Sequence, residues 1–176
     1  VIYTFAVGSK RLYNAIDRNP DFQCLAADET NPPDLIRQND NVVSINNTTS
    51  VDLTGQAASE SDGHRHISGT GGQLQFVRGA YASKGGKSFM CLASTYERKG
   101  QRKSRITLEL KPGTTVTTPR TDIMYVVTEY GAVNLKGKSI PERARALISI
   151  AHPDFRESLE REAYEYGLLK NWRIAS

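Results

Sequence analysis

Cysteine is scarce in this chain: only Cys24 and Cys91 occur in 176 residues, so no disulfide framework holds it together. Each lies in an apolar run, FQCLAA and FMCLAST, and both are expected to be buried, reduced thiols. No apolar stretch is long enough to cross a bilayer, and the N-terminus has none of the character of a secretory signal. These absences point to the cytoplasm, away from membranes, and give the sequons within Asn46-Asn47-Thr48-Thr49 no chemical opportunity. Internal repeats and low-complexity linkers are missing as well. So is metal-ligand spacing: His64-Arg65-His66 has no cysteine or acidic partner suitably placed, so no metal site is expected and the stretch reads as a flexible polar loop.

What is present suits one compact domain. The length falls in the single-domain range, and 38% hydrophobic residues can supply a core. Val1 opens directly on the strand-like VIYTFAV without an initiator Met, so the chain reads as a piece of a longer protein. A net charge of +4 permits a polyanionic ligand without demanding one. Basic residues cluster at Arg98–Arg105 between two strand-like runs, but only Tyr96 is near them, and nucleic-acid binding wants interleaved aromatics. Two readings of the cluster stay open: a solvated hairpin tip, or electrostatic help for a phosphorylated ligand.

Hydrophobic patterning alternates strands with helices. Strands are expected at Val1–Val7, Phe22–Ala26, Val42–Leu53 (one bent or two short), Lys87–Thr95, Arg105–Leu110, Thr114–Thr118 and Met124–Thr128. Helices are expected at Ser9–Arg18, Asp34–Gln38 and Gly72–Ser83, and again after Ser139, whose helix ends at His152-Pro153. The alternation favours an α/β layered sheet with parallel strands and an antiparallel portion near residues 88–118.

Chemistry concentrates in two loops at strand-to-helix handovers. In DETNPP, Asn31 precedes two prolines, which pushes its backbone toward an extended conformation and frees its amide to point outward. Plain turn chemistry is the competing reading. In SGTGGQ, three glycines let backbone N–H groups approach an anion where a helix dipole favours negative charge; alone, the motif is weak.

The wording TEYGAVNLKGKSIPERARALISIAHPDFR resembles the C-terminal region of the acetyl-CoA hydrolase/transferase family, and Asn39-Asp40-Asn41, Val51–Gln56, Ser59-Glu60-Ser61 and Ser68–Gln73 look like further signatures in family order. One departure stands out. The family usually has Asp two residues after Gly-Gly-Gln, whereas here Gln75 keeps the hydrogen bonding and loses the charge.

The resemblance implies an open mixed α/β sheet with helices on both faces, of the CoA-transferase type, with residues 1–176 forming most of a C-terminal domain. It implies an enzyme that moves coenzyme A between a short-chain acyl-CoA and a carboxylate such as acetate, with thioester hydrolysis as an alternative and a non-catalytic acyl-CoA-binding module as another. Family members attack with a glutamate and pass through a glutamyl-CoA thioester. That glutamate's motif is not found here, so it and an N-terminal domain are expected upstream of Val1, and the chain alone is expected to be inactive. Glu60 and Glu129 do not match the motif and read as structural carboxylates. By resemblance, the Asn31 amide and the Gly72 N–H form an oxyanion hole, while Ser68, Gly69, Gly71, Gly72, Gln73 and Lys99 contact coenzyme A. Lys84 and Lys87 are further candidates for its phosphates. A homodimer is compatible with the family; nucleic acid is not an expected partner.

Overall fold

The structure is a computed structural model that describes residues 1–169. Along the chain, β1 (Ile2–Tyr3) leads through α1 (Lys10–Ile16) to β2 (Gln23–Cys24), then to two single-turn helices, α2 (Ala27–Thr30) and α3 (Pro33–Ile36). Short strands follow: β3 (Val43–Asn47), β4 (Ser50–Asp52), β5 (Ala57–Ala58), β6 (Ser61–Asp62) and β7 (Arg65–His66). Helix α4 (Gln73–Ala82) precedes β8 (Lys87–Cys91), β9 (Thr95–Arg98), β10 (Gln101–Ser104), β11 (Ile106–Thr107), β12 (Tyr125–Thr128) and β13 (Gly131–Asn134). Two helices close the described part, α5 (Ile140–Ser149) and α6 (Pro153–Glu165).

The principal sheet has the order β13-β12-β8-β3, with β3, β8 and β12 parallel and β13 antiparallel. Helix α4 is the crossover from β3 to β8 and runs back over them, so its N-terminus lies toward the carboxyl ends of the parallel strands. Open α/β sheets place ligands at that end. A smaller sheet, β11-β4-β5, joins parallel and antiparallel pairing. One core serves both: Val77 of α4, Met90 and Val126 of the large sheet, Val51 and Ile106 of the small one, and Leu147 and Leu159 of the last helices share a buried cluster.

The mixed α/β architecture agrees with the patterning; several element bounds do not. The expected strand over Val1–Val7 shrinks to two residues, because among the described residues little covers it: Ile2, Phe5 and Val7 are exposed. Cys24, in the equally uncovered β2, is exposed, and Cys91 is half-buried, so the expectation of two buried thiols is corrected. Val42–Leu53 is two strands. Thr114–Thr118 contributes only a bridge from Thr118 to Ala57, with the Thr117 hydroxyl accepting from the Ser59 N–H. The His64 loop is not slack: it joins the β6–β7 hairpin, and the imidazole lies over Gly113. His152 belongs to the start of α6, where its Nδ1 accepts from the Asp154 N–H at 3.2 Å.

Polar groups tie the strand ends together. Asp52, buried, accepts from the Thr54 and Gln56 N–H groups, the Thr54 hydroxyl and the Gln56 amide, which closes the VDLTGQ turn. Glu129, after β12, accepts from the Ser94 N–H at 2.8 Å and from the Ser94 hydroxyl. Partial burial pushes the Glu129 carboxyl up, but the Ser94 hydrogen bonds outweigh it and hold the group below its ordinary range.

Two predictions follow from these contacts. A Cβ on Gly79 would stand 2.5 Å from Cβ and Cγ2 of Ile36, so Gly79→Ala is expected to destabilise by about 1–3 kcal/mol, with partial recovery when Ile36→Ala is added. Denaturant melts that show no loss contradict that packing. Because Glu129 is held ionised in the folded state, its stabilisation is complete above the ordinary carboxylate range and is lost as pH falls through its depressed value. Glu129→Gln should therefore lower the melting temperature at neutral pH, and the gap from wild type should close on acidification; a gap that is constant with pH refutes the assignment.

Candidate functional site

Asn31 closes the single turn of α2, its N–H donating to Ala27 O at 2.9 Å. Its backbone has φ −98° and ψ −4°, not the extended conformation that the following proline favours. That turn bond and the side-chain bonds below outweigh the pre-proline preference. The side chain is buried, and its carboxamide is engaged at both ends: the Thr30 hydroxyl donates to Oδ1 at 2.7 Å, and Nδ2 donates to Oε1 of Gln75 at 3.3 Å.

Gly72 caps α4, and among the described residues no side chain accepts from that helix's first N–H groups. A Cβ placed on Gly72 would stand 2.7 Å from Asn31 Nδ2, so the glycine that caps the helix and the amide face each other closely. Only glycine allows this approach. The structure therefore brings Asn31 and Gly72 together from loops 41 positions apart in sequence (72 minus 31), with Gln75 beside them. An apolar cleft of about 630 Å³ opens on Asn31, lined by Tyr3, Phe5, Thr30, Leu35, Ile36 and Phe76 among others.

The glycine loop leading to α4 is accessible. Ser68 to Gly71 are exposed, no atom outside the chain neighbours lies within 4 Å of a Cβ built at Gly69 or Gly71, and Gly71 has φ +59°. Ser68 turns its hydroxyl onto Gly69 O. Gln73 is different: its side chain is buried and donates to the Thr118 hydroxyl at 3.0 Å, so only its backbone faces the loop. Lys99 sits at the β9–β10 turn with φ +52°, and nothing places it against Asn31 or Gly72. Arg98 and Lys111 pair with Asp62, and Arg102 pairs with Asp154, whereas among the described residues no carboxylate lies within ion-pair distance of Lys99.

Glu129 is tied to Ser94, and Glu60 is buried at the loop's entrance, where its carbonyl accepts from the Ile67 and Ser68 N–H groups. Among the described residues no group of three or more His, Cys, Asp or Glu could hold a metal ion, and no helix is long and apolar enough to cross a membrane. Sequence reasoning missed Thr30 and Phe76 as neighbours of the site. Gln75 had been singled out only as a departure from pattern, and the contact that gives it meaning spans 44 positions.

Comparisons with known proteins place the chain in a family. Residues 8–163 match the acetyl-CoA hydrolase/transferase C-terminal domain. The chain is 53% identical over 172 residues to a probable butyrate:acetyl-CoA coenzyme A-transferase of Syntrophomonas wolfei, covering 98% of this chain and 38% of that protein. It is 52% identical over 163 residues to the 4-hydroxybutyrate coenzyme A transferase of Clostridium kluyveri, covering 92% and 37%. Among solved structures, RipA from Yersinia pestis superposes with a TM-score of 0.85 at 48% identity, over 95% of this chain and 37% of that one. The 4-hydroxybutyrate CoA-transferase of Porphyromonas gingivalis gives 0.74 at 41% identity, over 94% and 37%. The chain thus spans under two fifths of these relatives' lengths. By sequence and by structure, it belongs to the acetyl-CoA hydrolase/transferase family and corresponds to its C-terminal domain.

Proposed function

We propose that this chain is the C-terminal part of a CoA-transferase that exchanges coenzyme A between a short-chain acyl-CoA and a carboxylate such as acetate. The observation that carries the reading is the approach of the Asn31 amide to Gly72, at the uncapped N-terminus of α4. An N–H of Asn31 Nδ2 and the N–H of Gly72 are two donors that can converge on one oxygen, and the helix dipole favours negative charge there. The names borne by the relatives near 50% identity favour transfer over hydrolysis.

In this reading the nucleophile is a glutamate carried outside this chain, on a preceding domain of a longer protein. Its carboxylate oxygen attacks the thioester carbon, and the former carbonyl oxygen takes the negative charge between Asn31 and Gly72. Collapse of that adduct expels the CoA thiolate and leaves a mixed anhydride. The thiolate then adds to the glutamyl carbonyl, releases the first carboxylate and leaves glutamyl-CoA, which the acceptor carboxylate resolves by the same steps in reverse. Asn31 and Gly72 do not move protons; they lower the energy of each tetrahedral oxyanion. Backbone groups of Ser68, Gly69, Gly71, Gly72 and Gln73 contact the coenzyme, and Lys99 meets its phosphates.

Three measurements test the assignment. In the complete protein, Asn31→Ala should lower kcat by about 10²–10³ while the fold survives, and an unchanged kcat in a folded variant refutes the role. The isolated chain mixed with acyl-CoA and acetate should show no CoA exchange; turnover at ordinary enzyme rates, ~1–10³ per second, contradicts an external nucleophile. Lys99→Ala should raise KM for acyl-CoA several-fold and leave kcat alone, whereas Lys103→Ala on the same hairpin should not. Equal effects from both reduce the contribution to general surface charge.

A further inference from the structure

The Asn31 carboxamide is gripped from two elements at once. Thr30 supplies a hydroxyl to Oδ1 at 2.7 Å, and Gln75, on the first turn of α4, supplies an acceptor to Nδ2 at 3.3 Å. An amide nitrogen carries two N–H donors, so the bond to Gln75 engages one and leaves the other for a ligand. Thr30 and Gln75 each engage one end of the carboxamide, and together they hold the side chain at the head of α4.

We propose that Gln75 is a positioning residue: its side-chain oxygen fixes the Asn31 amide so that the remaining N–H points to the oxygen of the reacting thioester. The inference rests on the oxyanion-hole reading above and assigns a device to it. A neutral acceptor holds the amide without adding a full negative charge beside the oxygen on which charge develops.

The test is a double-mutant cycle in the complete protein. Gln75→Met keeps length and apolar packing and removes the acceptor; it should lower kcat about 10–100-fold with KM for acyl-CoA unchanged. Gln75→Glu, which retains the acceptor but places a negative charge beside the developing oxyanion, should recover only part of that loss. In an Asn31→Ala background Gln75→Met should cost nothing further, because the group it positions is gone. Thr30→Val, which releases the other end of the amide, should show the same loss and the same disappearance, and decides the matter if Gln75→Met does not fold. Gln75→Met at the wild-type rate, with Asn31→Ala slow, overturns the inference and leaves the oxyanion hole standing. A Gln75→Met loss that persists undiminished in the Asn31→Ala background also overturns it, since Gln75 then acts by itself. An Asn31→Ala protein at the wild-type rate removes the hole and the inference together.

Discussion

Gly79 has no side chain, and Ile36 occupies the space where one would be; the rest of the site depends on that substitution of one residue's bulk for another's absence. Ile36 ends α3, five positions beyond Asn31, and Gly79 lies seven positions beyond Gly72 on α4. Pressing these two points together brings the helices close and carries Asn31 to the head of α4. A cross-helix contact about two turns away thus sets how closely Asn31 approaches Gly72.

Much of the fold could be read in the sequence, because its strongest signals are local. Val126 and Val127 announce an internal strand, Gly131 its turn, and Ser139 with Pro141 and Glu142 the start of α5; each is a rule about neighbours in sequence. The strand after Gly131 escaped notice, since Ala132, Val133 and Asn134 carry little β signal and gain it by pairing with β12. Errors concentrate at the N-terminus, where VIYTFAV has the composition of a buried strand and the structure gives it little to bury against.

The candidate site was legible to a different degree. Asn31 and Gly72 came from resemblance; from the residues alone, each had a mundane reading as a turn. Their proximity is a tertiary fact without a sequence period, and the same is true of Thr30 and Gln75, whose polar side chains look like ordinary surface until Asn31 is set between them. Local rules even misjudged the Asn31 backbone. The preference imposed by Pro32 is modest and yields to a turn hydrogen bond backed by a doubly held side chain.

Ser68 to Gly71 stand exposed, with nothing packed around Gly69 or Gly71. Ligand contact there must order backbone whose freedom costs about 1–2 kcal/mol per residue to remove. In the proposed reading, the glycines that let a thioester come close thereby also tax its binding entropy. In the proposed transferase, which returns one coenzyme A ester in exchange for another, that tax is useful: a loop that grips weakly in the ground state releases quickly, and the contacts made in the transition state count for more.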